Sequence, residues 1–344
     1  MKQEHLYHHT AAFALESGKS LPGFTLKYTT AGKLRDDRSN VIWVCHALTG
    51  SSDATDWWHG LFGPGGAYST DEYFVICANT LGGCYGSTGP LDVNPSTGNS
   101  WFHSFPMLTT RDAARAFDEL RKALGFHQIH TLVGGSLGGQ QILEWAILQP
   151  DVFRFLIPVA CNAWHSPWGI AFNESQRMAI ELDPSWTEDA PAAGSSGMEV
   201  ARSIAMLSYR SHQVFTRNQA EPSSENFTDF RAASYQRYQG RKLAQRFNAF
   251  SYHLLSRMMD SHHVGRGRSS AEETLGGIRA RTLVVGIDED ILFPVPEQLF
   301  LAQNIPGARY AEIKSAYGHD SFLVEFAQLN TIILNFFRET GQTN

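Results

Sequence analysis

Features that mark secreted, membrane or metal-binding chains are scarce in this sequence. It has only four cysteines in 344 residues, Cys45, Cys77, Cys84 and Cys161. No two of them form a C-x-x-C pair, so neither a zinc site nor a redox motif is indicated. No apolar run approaches the roughly 20 residues that a membrane helix needs, and charges and histidines interrupt any apolar signal segment near the amino terminus. We therefore expect reduced thiols, no metal, no membrane partner and a cytoplasmic location.

An excess of positive charge is also missing. The 28 basic residues are outnumbered by 34 acidic ones, which gives a formal net charge of -6. Non-specific nucleic-acid binding needs a basic face, so nucleic acid is not an expected partner. Hydrophobic residues make up 42% of the chain and charged residues 18%, a composition that can bury a large core. At roughly 150 residues per domain, the length fits two domains or one domain with an insertion.

Short, nearly continuous apolar runs recur along the chain and predict buried parallel strands. They are Val41–Cys45, Tyr73–Ala78, Thr131–Gly134, Leu156–Cys161, Thr282–Ile287 and Tyr310–Ile313. Leu26–Thr30 is a further strand candidate, which we expect to add antiparallel pairing at one edge. Helical spacing separates the runs, and it is clearest in Arg111–Leu124, Gln140–Gln149 and Ser321–Arg338. This alternation predicts an α/β protein with a mostly parallel, doubly wound sheet.

The strand and helix rhythm stops after about Cys161 and resumes near Arg281. The stretch between them is mostly helical in pattern, with helices predicted at Glu174–Glu181, Met198–Tyr209 and Ala232–Met259. We therefore predict a core domain formed by residues 1–161 and 276–344. Residues 162–275 are predicted to form a helical lid inserted into it.

A serine lies at the point where one predicted strand meets a helix. Gly134-x-Ser136-x-Gly138 follows an apolar strand and precedes an apolar-periodic helix. This arrangement is typical of the nucleophile elbow of the α/β-hydrolase fold, where a tight turn projects the serine hydroxyl off the sheet. The alternative is an ordinary glycine-rich turn. A phosphate-binding loop is disfavoured, because no G-K-[ST] ending follows and the glycine spacing is different.

A serine nucleophile needs a base and a group that orients the base. In this fold an acid and then a histidine follow the serine along the chain. Three carboxylates, Asp288, Glu289 and Asp290, follow the strand Thr282–Ile287 and compete for the role of acid. His319 lies after the last predicted strand, where the base is expected.

Several motifs resemble the homoserine O-acyltransferase family, and within it the acetyltransferases, over nearly the whole chain. The segments that carry the resemblance are VCHALTGS at 44–51, NTLGGCYGSTGP at 79–90, GGSLGG at 134–139, AIELDPSW at 179–186, AR at 201–202, YR at 209–210, DILFP at 290–294 and GHDSF at 318–322. Together they are specific, because several have no role in a general hydrolase.

The resemblance implies a role for individual residues. The family's catalytic aspartate opens the D-x-L-F-P segment, which makes Asp290 the acid. The oxyanion hole would use the backbone N–H groups of Leu48 and Leu137. Leu137 stands where methionine is common in the family. The set Ser136, Asp290 and His319 is then a complete triad.

The resemblance also implies an amino-acid site at Arg202, Tyr209 and Asp320. Arg202 would bind the carboxylate of the acceptor and Asp320 its ammonium group. From the residues alone, Arg202 could equally be a surface helix charge, and Asp320 an N-cap of the final helix.

The implied reaction moves an acetyl group from acetyl-coenzyme A to the side-chain hydroxyl of L-homoserine, a step of methionine biosynthesis. It would follow a ping-pong mechanism through an acyl-serine. Acetyl-coenzyme A would be a co-substrate, no cofactor would be bound permanently, and the lid helices would join a homodimer. Succinyl transfer, serine as the acceptor, an esterase with the same triad, and a non-catalytic binding protein of the same fold are the alternatives.

Overall fold

A computed structural model describes residues 2–341. Within this range the chain forms ten β-strands. They are β1 (Gln3–His9), β2 (Phe13–Ala14), β3 (Ser20–Leu21), β4 (Phe24–Ala31), β5 (Val41–Cys45), β6 (Phe74–Ala78), β7 (Ile129–Gly135), β8 (Phe153–Val159), β9 (Arg281–Ile287) and β10 (Arg309–Ile313). Each predicted buried strand overlaps one of them, because apolar β-rich runs of this length are characteristic of strands covered on both faces.

Eight of these strands form one sheet in the order β1-β4-β6-β5-β7-β8-β9-β10. The six strands from β6 to β10 pair in parallel. β4 pairs antiparallel with β6, and β1 pairs antiparallel with β4. The predicted antiparallel addition at Leu26–Thr30 is thus confirmed, but the outer edge is formed by β1, which was not predicted.

Twelve α-helices connect and cover the strands of residues 2–341. They are α1 (Ala54–Trp57), α2 (His59–Phe62), α3 (Thr110–Ala123), α4 (Leu137–Leu148), α5 (Pro167–Glu181), α6 (Ser195–Tyr209), α7 (His212–Gln219), α8 (Arg231–Ala244), α9 (Ala249–Asp260), α10 (Ala271–Gly276), α11 (Val295–Asn304) and α12 (Phe326–Glu339). One apolar core lies between the sheet and α3, α4 and α11, and a second lies between the sheet and α2 and α12. Helices therefore cover both faces, as the doubly wound prediction requires. Among the helices described, none is both long and apolar enough to cross a membrane.

The chain between β8 and β9 is helical. α6 packs against α5, α8 and α9, and α5 also packs against α9. The single helix predicted over Ala232–Met259 is wrong, because residues 245–248 separate α8 from α9. Asn248 caps the second helix, with its side-chain oxygen accepting from the Ser251 amide at 2.7 Å.

The predicted start of the last helix is also wrong. The helix expected from Ser321 begins at Phe326, and a short 3₁₀ turn over Gly318–Leu323 precedes it. This turn carries His319. The apolar spacing of the later helix extends back into it, which explains why the sequence pattern did not separate them.

Candidate active site

Ser136 lies in the turn between β7 and α4. Its backbone angles are φ 57° and ψ -125°, a positive φ that costs a side-chain-bearing residue roughly 1–3 kcal/mol. The flanking glycines allow this turn to pack. A Cβ atom at Gly138 would lie 2.1 Å from the carbonyl oxygen of Cys45, and one at Gly134 would lie 2.6 Å from the carbonyl oxygen of Gly138. The structure thus places Ser136 in the strained turn that an elbow requires.

His319 and Asp290 form a buried hydrogen-bonded pair. Nδ1 of His319 lies 2.6 Å from Oδ2 of Asp290, and each residue is only 4% exposed. The other carboxylate oxygen, Oδ1, accepts from the amides of Leu292 at 2.8 Å and Phe293 at 2.9 Å. The carboxylate is therefore fixed on both sides, and its contact with Nδ1 leaves Nε2 as the ring nitrogen free for chemistry.

The two competing carboxylates lie elsewhere. Oδ1 of Asp288 accepts from the Ser315 amide at 2.9 Å and from the Glu289 amide at 3.0 Å. Both Asp288 and Glu289 are exposed. Geometry thus brings Asp290, rather than either neighbour, to His319.

The three residues of the predicted triad follow strands that end at one edge of the sheet, because these strands are parallel. Ser136 follows β7, Asp290 follows β9 and His319 follows β10. The His319 ring stacks on Phe293, with ring centroids 5.1 Å apart, and meets Phe322 edge-on at 5.5 Å. These aromatic neighbours hold the imidazole in place and shield it from water.

The pKa of His319 is set by opposing effects. Burial alone would lower it, but the charge and hydrogen bond of Asp290, together with the charge of Asp320, outweigh burial and raise the pKa above its ordinary value. The pair is therefore arranged to stabilise an imidazolium, as a general base requires when it accepts a proton.

Two backbone amides are available near the elbow. Leu137 is the first residue of α4, so its amide has no carbonyl partner within the helix, and it lies at the positive end of the helix dipole. The Leu48 amide makes no hydrogen bond to any group of residues 2–341. Next to it, Nε2 of His46 accepts from the Thr80 amide at 3.0 Å. Burial lowers the pKa of His46 to about 4, so this histidine is neutral and structural.

Of the implied amino-acid site, Tyr209 and Asp320 lie beside His319, and Arg202 lies against Tyr209. The Tyr209 ring centroid is 5.8 Å from that of His319. The guanidinium carbon of Arg202 lies 5.1 Å from the Tyr209 ring centroid, within the range of a cation–π contact. Asp320 follows His319 in the 3₁₀ turn, so it is not the N-cap of the final helix, a position held by Glu325.

Sequence reasoning gave no role to Arg210. Its Nη2 atom lies 3.2 Å from Oδ2 of Asp320. The YR pair was visible as a motif, but the two charges lie far apart in the sequence, and nothing in the pattern indicated that they meet. In the structure Arg210 directly follows α6 and pairs with the carboxylate that directly follows His319.

Comparison with known proteins agrees with this geometry. The α/β-hydrolase fold family matches residues 40–326. The crystal structure of esterase E22 superimposes with a TM-score of 0.88 at 22% identity, covering 98% of this chain and 100% of that one. At this identity the likeness shows the fold alone.

Two further proteins share more sequence with the chain. Homoserine O-acetyltransferase from Bacillus anthracis superimposes with a TM-score of 0.90 at 25% identity, covering 98% of this chain and 97% of that one. Homoserine O-acetyltransferase from Cyclobacterium marinum is 49% identical over 341 residues, which cover 99% of this chain and 97% of that protein. The chain therefore belongs to the homoserine O-acetyltransferase family of α/β hydrolases.

Proposed function

We propose that this enzyme transfers an acetyl group from acetyl-coenzyme A to the side-chain hydroxyl of L-homoserine through an acyl-Ser136 intermediate. The observation that carries the proposal is the buried Asp290–His319 hydrogen bond at the same sheet edge as the strained turn of Ser136. The homoserine O-acetyltransferases that match the full chain supply the donor and acceptor.

In the first half-reaction Ser136 Oγ attacks the thioester carbonyl while Nε2 of His319 takes the hydroxyl proton. Asp290 holds the imidazole in the required tautomer and stabilises the imidazolium. The amides of Leu48 and Leu137 donate to the oxyanion, each worth roughly 10²–10³ in rate. The C–S bond then breaks, the thiolate takes the proton from His319, and coenzyme A leaves.

In the second half-reaction the acceptor hydroxyl gives its proton to His319 and attacks the acyl-Ser136 carbonyl. The ester bond to Ser136 breaks, and Oγ regains the proton. The products are O-acetyl-L-homoserine and free enzyme. The reaction needs no permanently bound cofactor, because the triad and the amides supply the chemistry.

The acceptor is a zwitterion, so its site needs opposite charges at fixed places. We assign Arg202 to its carboxylate, which a guanidinium can bind through two N–H groups. We assign Asp320 to its ammonium group. Tyr209 contacts both Arg202 and His319, and we assign it to the wall of the acceptor site between them.

Transfer to homoserine must outcompete hydrolysis by water. We assign residues 162–275 to a lid over the core formed by 1–161 and 276–344. The helices α5–α9 make up most of this lid. Of these helices, Tyr252 is buried and Tyr209 is partly buried, and the Tyr209 ring packs against His319. Exclusion of water strengthens electrostatic interactions in the site and suppresses the esterase reaction.

The assembly we assign to the enzyme is a homodimer in the cytoplasm, joined through lid helices. α6 exposes Val200 and Leu207, which lie on one helix face because they are seven residues apart. Tyr238 of the adjacent α8 is also exposed. Such apolar side chains are a candidate surface for a second copy.

The test is a product assay with acetyl- or succinyl-coenzyme A as donor and L-homoserine, L-serine or water as acceptor. We expect rapid O-acetylhomoserine formation, parallel double-reciprocal plots and an acetylated Ser136 in the absence of acceptor. Release of acetate at a rate that homoserine does not change would identify an esterase instead. A higher rate with succinyl-coenzyme A would show that the donor is not acetyl-coenzyme A, and a higher rate with L-serine would show that the acceptor is not L-homoserine.

A further inference from the structure

The carboxyl end of α6 is docked on the turn that carries His319. Arg210 pairs with Asp320, and the Ser211 hydroxyl donates to the carbonyl of Ala316. The close approach requires a glycine, because Gly318 has φ 70° and a Cβ there would lie 2.8 Å from the Ser211 amide nitrogen. This corner of the lid and the histidine turn therefore form one packed unit.

We propose that Arg210 is a positioning residue for the acceptor step, holding Asp320 in place for the acceptor ammonium group and linking the lid to the His319 turn. The inference rests on the proposed homoserine acetyl transfer. The salt bridge uses Oδ2 of Asp320 and leaves Oδ1 without a hydrogen bond to residues 2–341. A carboxylate held through one oxygen presents the other at a fixed place.

The Arg210–Asp320 pair is partly buried, so the direction in which the Asp320 carboxylate points affects both ligand binding and His319. The side chain of Asp320 is 16% exposed and that of Arg210 is 24% exposed, so the pair is partly shielded from water but still reachable by a small ligand. Without Arg210 the carboxylate would be free to rotate, and its charge, which acts on His319, would have no ion-pair partner. By pairing with Asp320, Arg210 orients the carboxylate for the acceptor and also offsets the effect of its negative charge on His319.

The charges around this unit come from several elements. The titratable groups that contact His319 or Asp320 are Asp290 after β9, Tyr209 on α6 and Arg210 after α6. Arg202 on α6 and Tyr252 on α9 interact with Tyr209. Only Arg210 forms an ion pair with Asp320 among the residues described. Changing Arg210 therefore alters the environment of Asp320 more directly than any other single substitution.

The first experiment separates the two half-reactions. Ser136 acetylation by acetyl-coenzyme A without acceptor, and the kcat and KM for homoserine, would be measured for Arg210→Gln, Arg210→Lys, Asp320→Asn and the double variant. Arg217→Gln on exposed α7 is the matched control. We expect Arg210→Gln to raise the KM for homoserine about tenfold, which corresponds to about 1.4 kcal/mol, and to reduce acetylation less. Arg210→Lys should raise this KM less than Arg210→Gln does. The double variant should have a KM no higher than that of Asp320→Asn alone, because Arg210 acts through Asp320.

The second experiment follows the pH dependence of Ser136 acetylation, which needs neutral His319 and is lost as pH falls through its pKa. The charge of Asp320 raises that pKa. Arg210→Gln uncovers this charge and should move the acid limb to higher pH. Asp320→Asn removes the charge and should move the limb to lower pH. A merely structural disturbance would not give shifts of opposite sign.

Equal loss in both half-reactions, with neither acid limb moved, would overturn the proposal, as would an Arg210→Gln enzyme that matches Arg217→Gln. If Arg210→Gln does not fold, Arg210→Lys tests whether the KM for homoserine depends on the guanidinium, and Asp320→Asn still tests the shift of the acid limb to lower pH. A wild-type enzyme that acetylates Ser136 but makes no O-acetylhomoserine overturns the proposed function instead. The pH comparison then still decides whether Arg210 offsets the charge of Asp320.

Discussion

The backbone of Ser136 shows how a single residue is held in a conformation that its own side chain disfavours. The positive φ is maintained by the strand before it, the helix after it and the Ser136 amide, which donates to the carbonyl of Val159 at 3.0 Å. The surrounding fold thus sustains local strain and places the hydroxyl at the sheet edge.

Replacing this serine tests its role without a large structural cost. We expect Ser136→Ala to abolish acetylation and turnover, because the proposed acyl-enzyme forms on the Ser136 hydroxyl. Loss of one hydroxyl leaves little cavity, so the thermal midpoint should stay near that of the wild type. Intact-mass spectrometry after mixing with acetyl-coenzyme A would check this. A persistent acetyl adduct would identify a different nucleophile.

The assignment of the acid can be tested with a neighbouring carboxylate as the control. Asp290→Asn keeps the size of the side chain but no longer favours the required tautomer of His319, so we expect kcat to fall roughly 10⁴-fold. Asp288→Asn should have a small effect, because that carboxylate binds the amides of Glu289 and Ser315. Steady-state kinetics of both variants would decide, and the reverse ranking would refute the assignment.

At the scale of elements, the sequence was a good guide to the parallel strands and a poorer guide to the turns. Buried strands carry their own apolar signal, which is why β5 was predicted to the residue. β1 was missed because its pattern alternates between exposed and partly buried residues rather than running apolar. The breaks before α9 and α12 depend on local capping and on the histidine turn, which apolar periodicity does not report.

The candidate site divides in the same way. Motif order along the chain predicted Ser136 and His319 but left three carboxylates as candidate acids, and the family resemblance selected Asp290. The structure brings Asp290 and His319 into contact. The pairing of Arg210 with Asp320 depends on how α6 packs against the turn that carries His319, and such a tertiary contact leaves no local signature. Single-sequence patterns therefore predict the chemistry better than the groups that position it.

The packing between β5 and the nucleophile helix gives a prediction at this scale. A methyl group at Gly138 would overlap the Cys45 carbonyl, so we expect Gly138→Ala to destabilise the fold by about 1–3 kcal/mol or more and to impair acetylation. Gly276→Ala is the control, since a Cβ there meets no atom within 4 Å. Thermal melts of both variants would measure the difference. Equal melting temperatures would contradict the tight elbow packing.

For the whole molecule, the proposed dimer can be tested at the exposed face of α6. Leu207→Glu places a charge on an apolar side chain that is 53% exposed. If this face joins two copies, the charge should shift the enzyme from dimer to monomer, because a buried unpaired carboxylate is costly. Val93→Glu, outside the proposed lid and 60% exposed, is the control. Light scattering after size-exclusion chromatography would report the mass, and a monomeric wild type would reject the interface.

Acid stability is also a property of the whole molecule. Burial lowers the pKa of His46 and His165 to about 4 and that of His262 to about 3. These groups are neutral when folded, but in the unfolded chain they bind protons below about pH 6.5. Unfolding therefore takes up protons in this window, and stability falls as pH decreases from about 6.5 toward 4. Three carboxyl groups whose pKa is raised by burial oppose this trend, namely Asp112, Asp260 and Glu297.

His262 isolates one contribution to this balance. Its Nε2 donates to the Asn162 carbonyl and its Nδ1 accepts from the Thr110 hydroxyl, which fixes the neutral form. Because the pKa of His262 is lowered in the folded state, its contribution should reduce the free energy of unfolding by about 2 kcal/mol when the pH falls from 7.5 to 5. Glutamine does not titrate. Whatever the stability of His262→Gln at pH 7.5, we therefore expect its free energy of unfolding to fall by about 2 kcal/mol less than that of the wild type between pH 7.5 and pH 5. The exposed His127→Gln should retain the wild-type difference. Urea unfolding at the two pH values would measure it, and an unchanged pH difference in His262→Gln would show that this histidine is not kept neutral by burial.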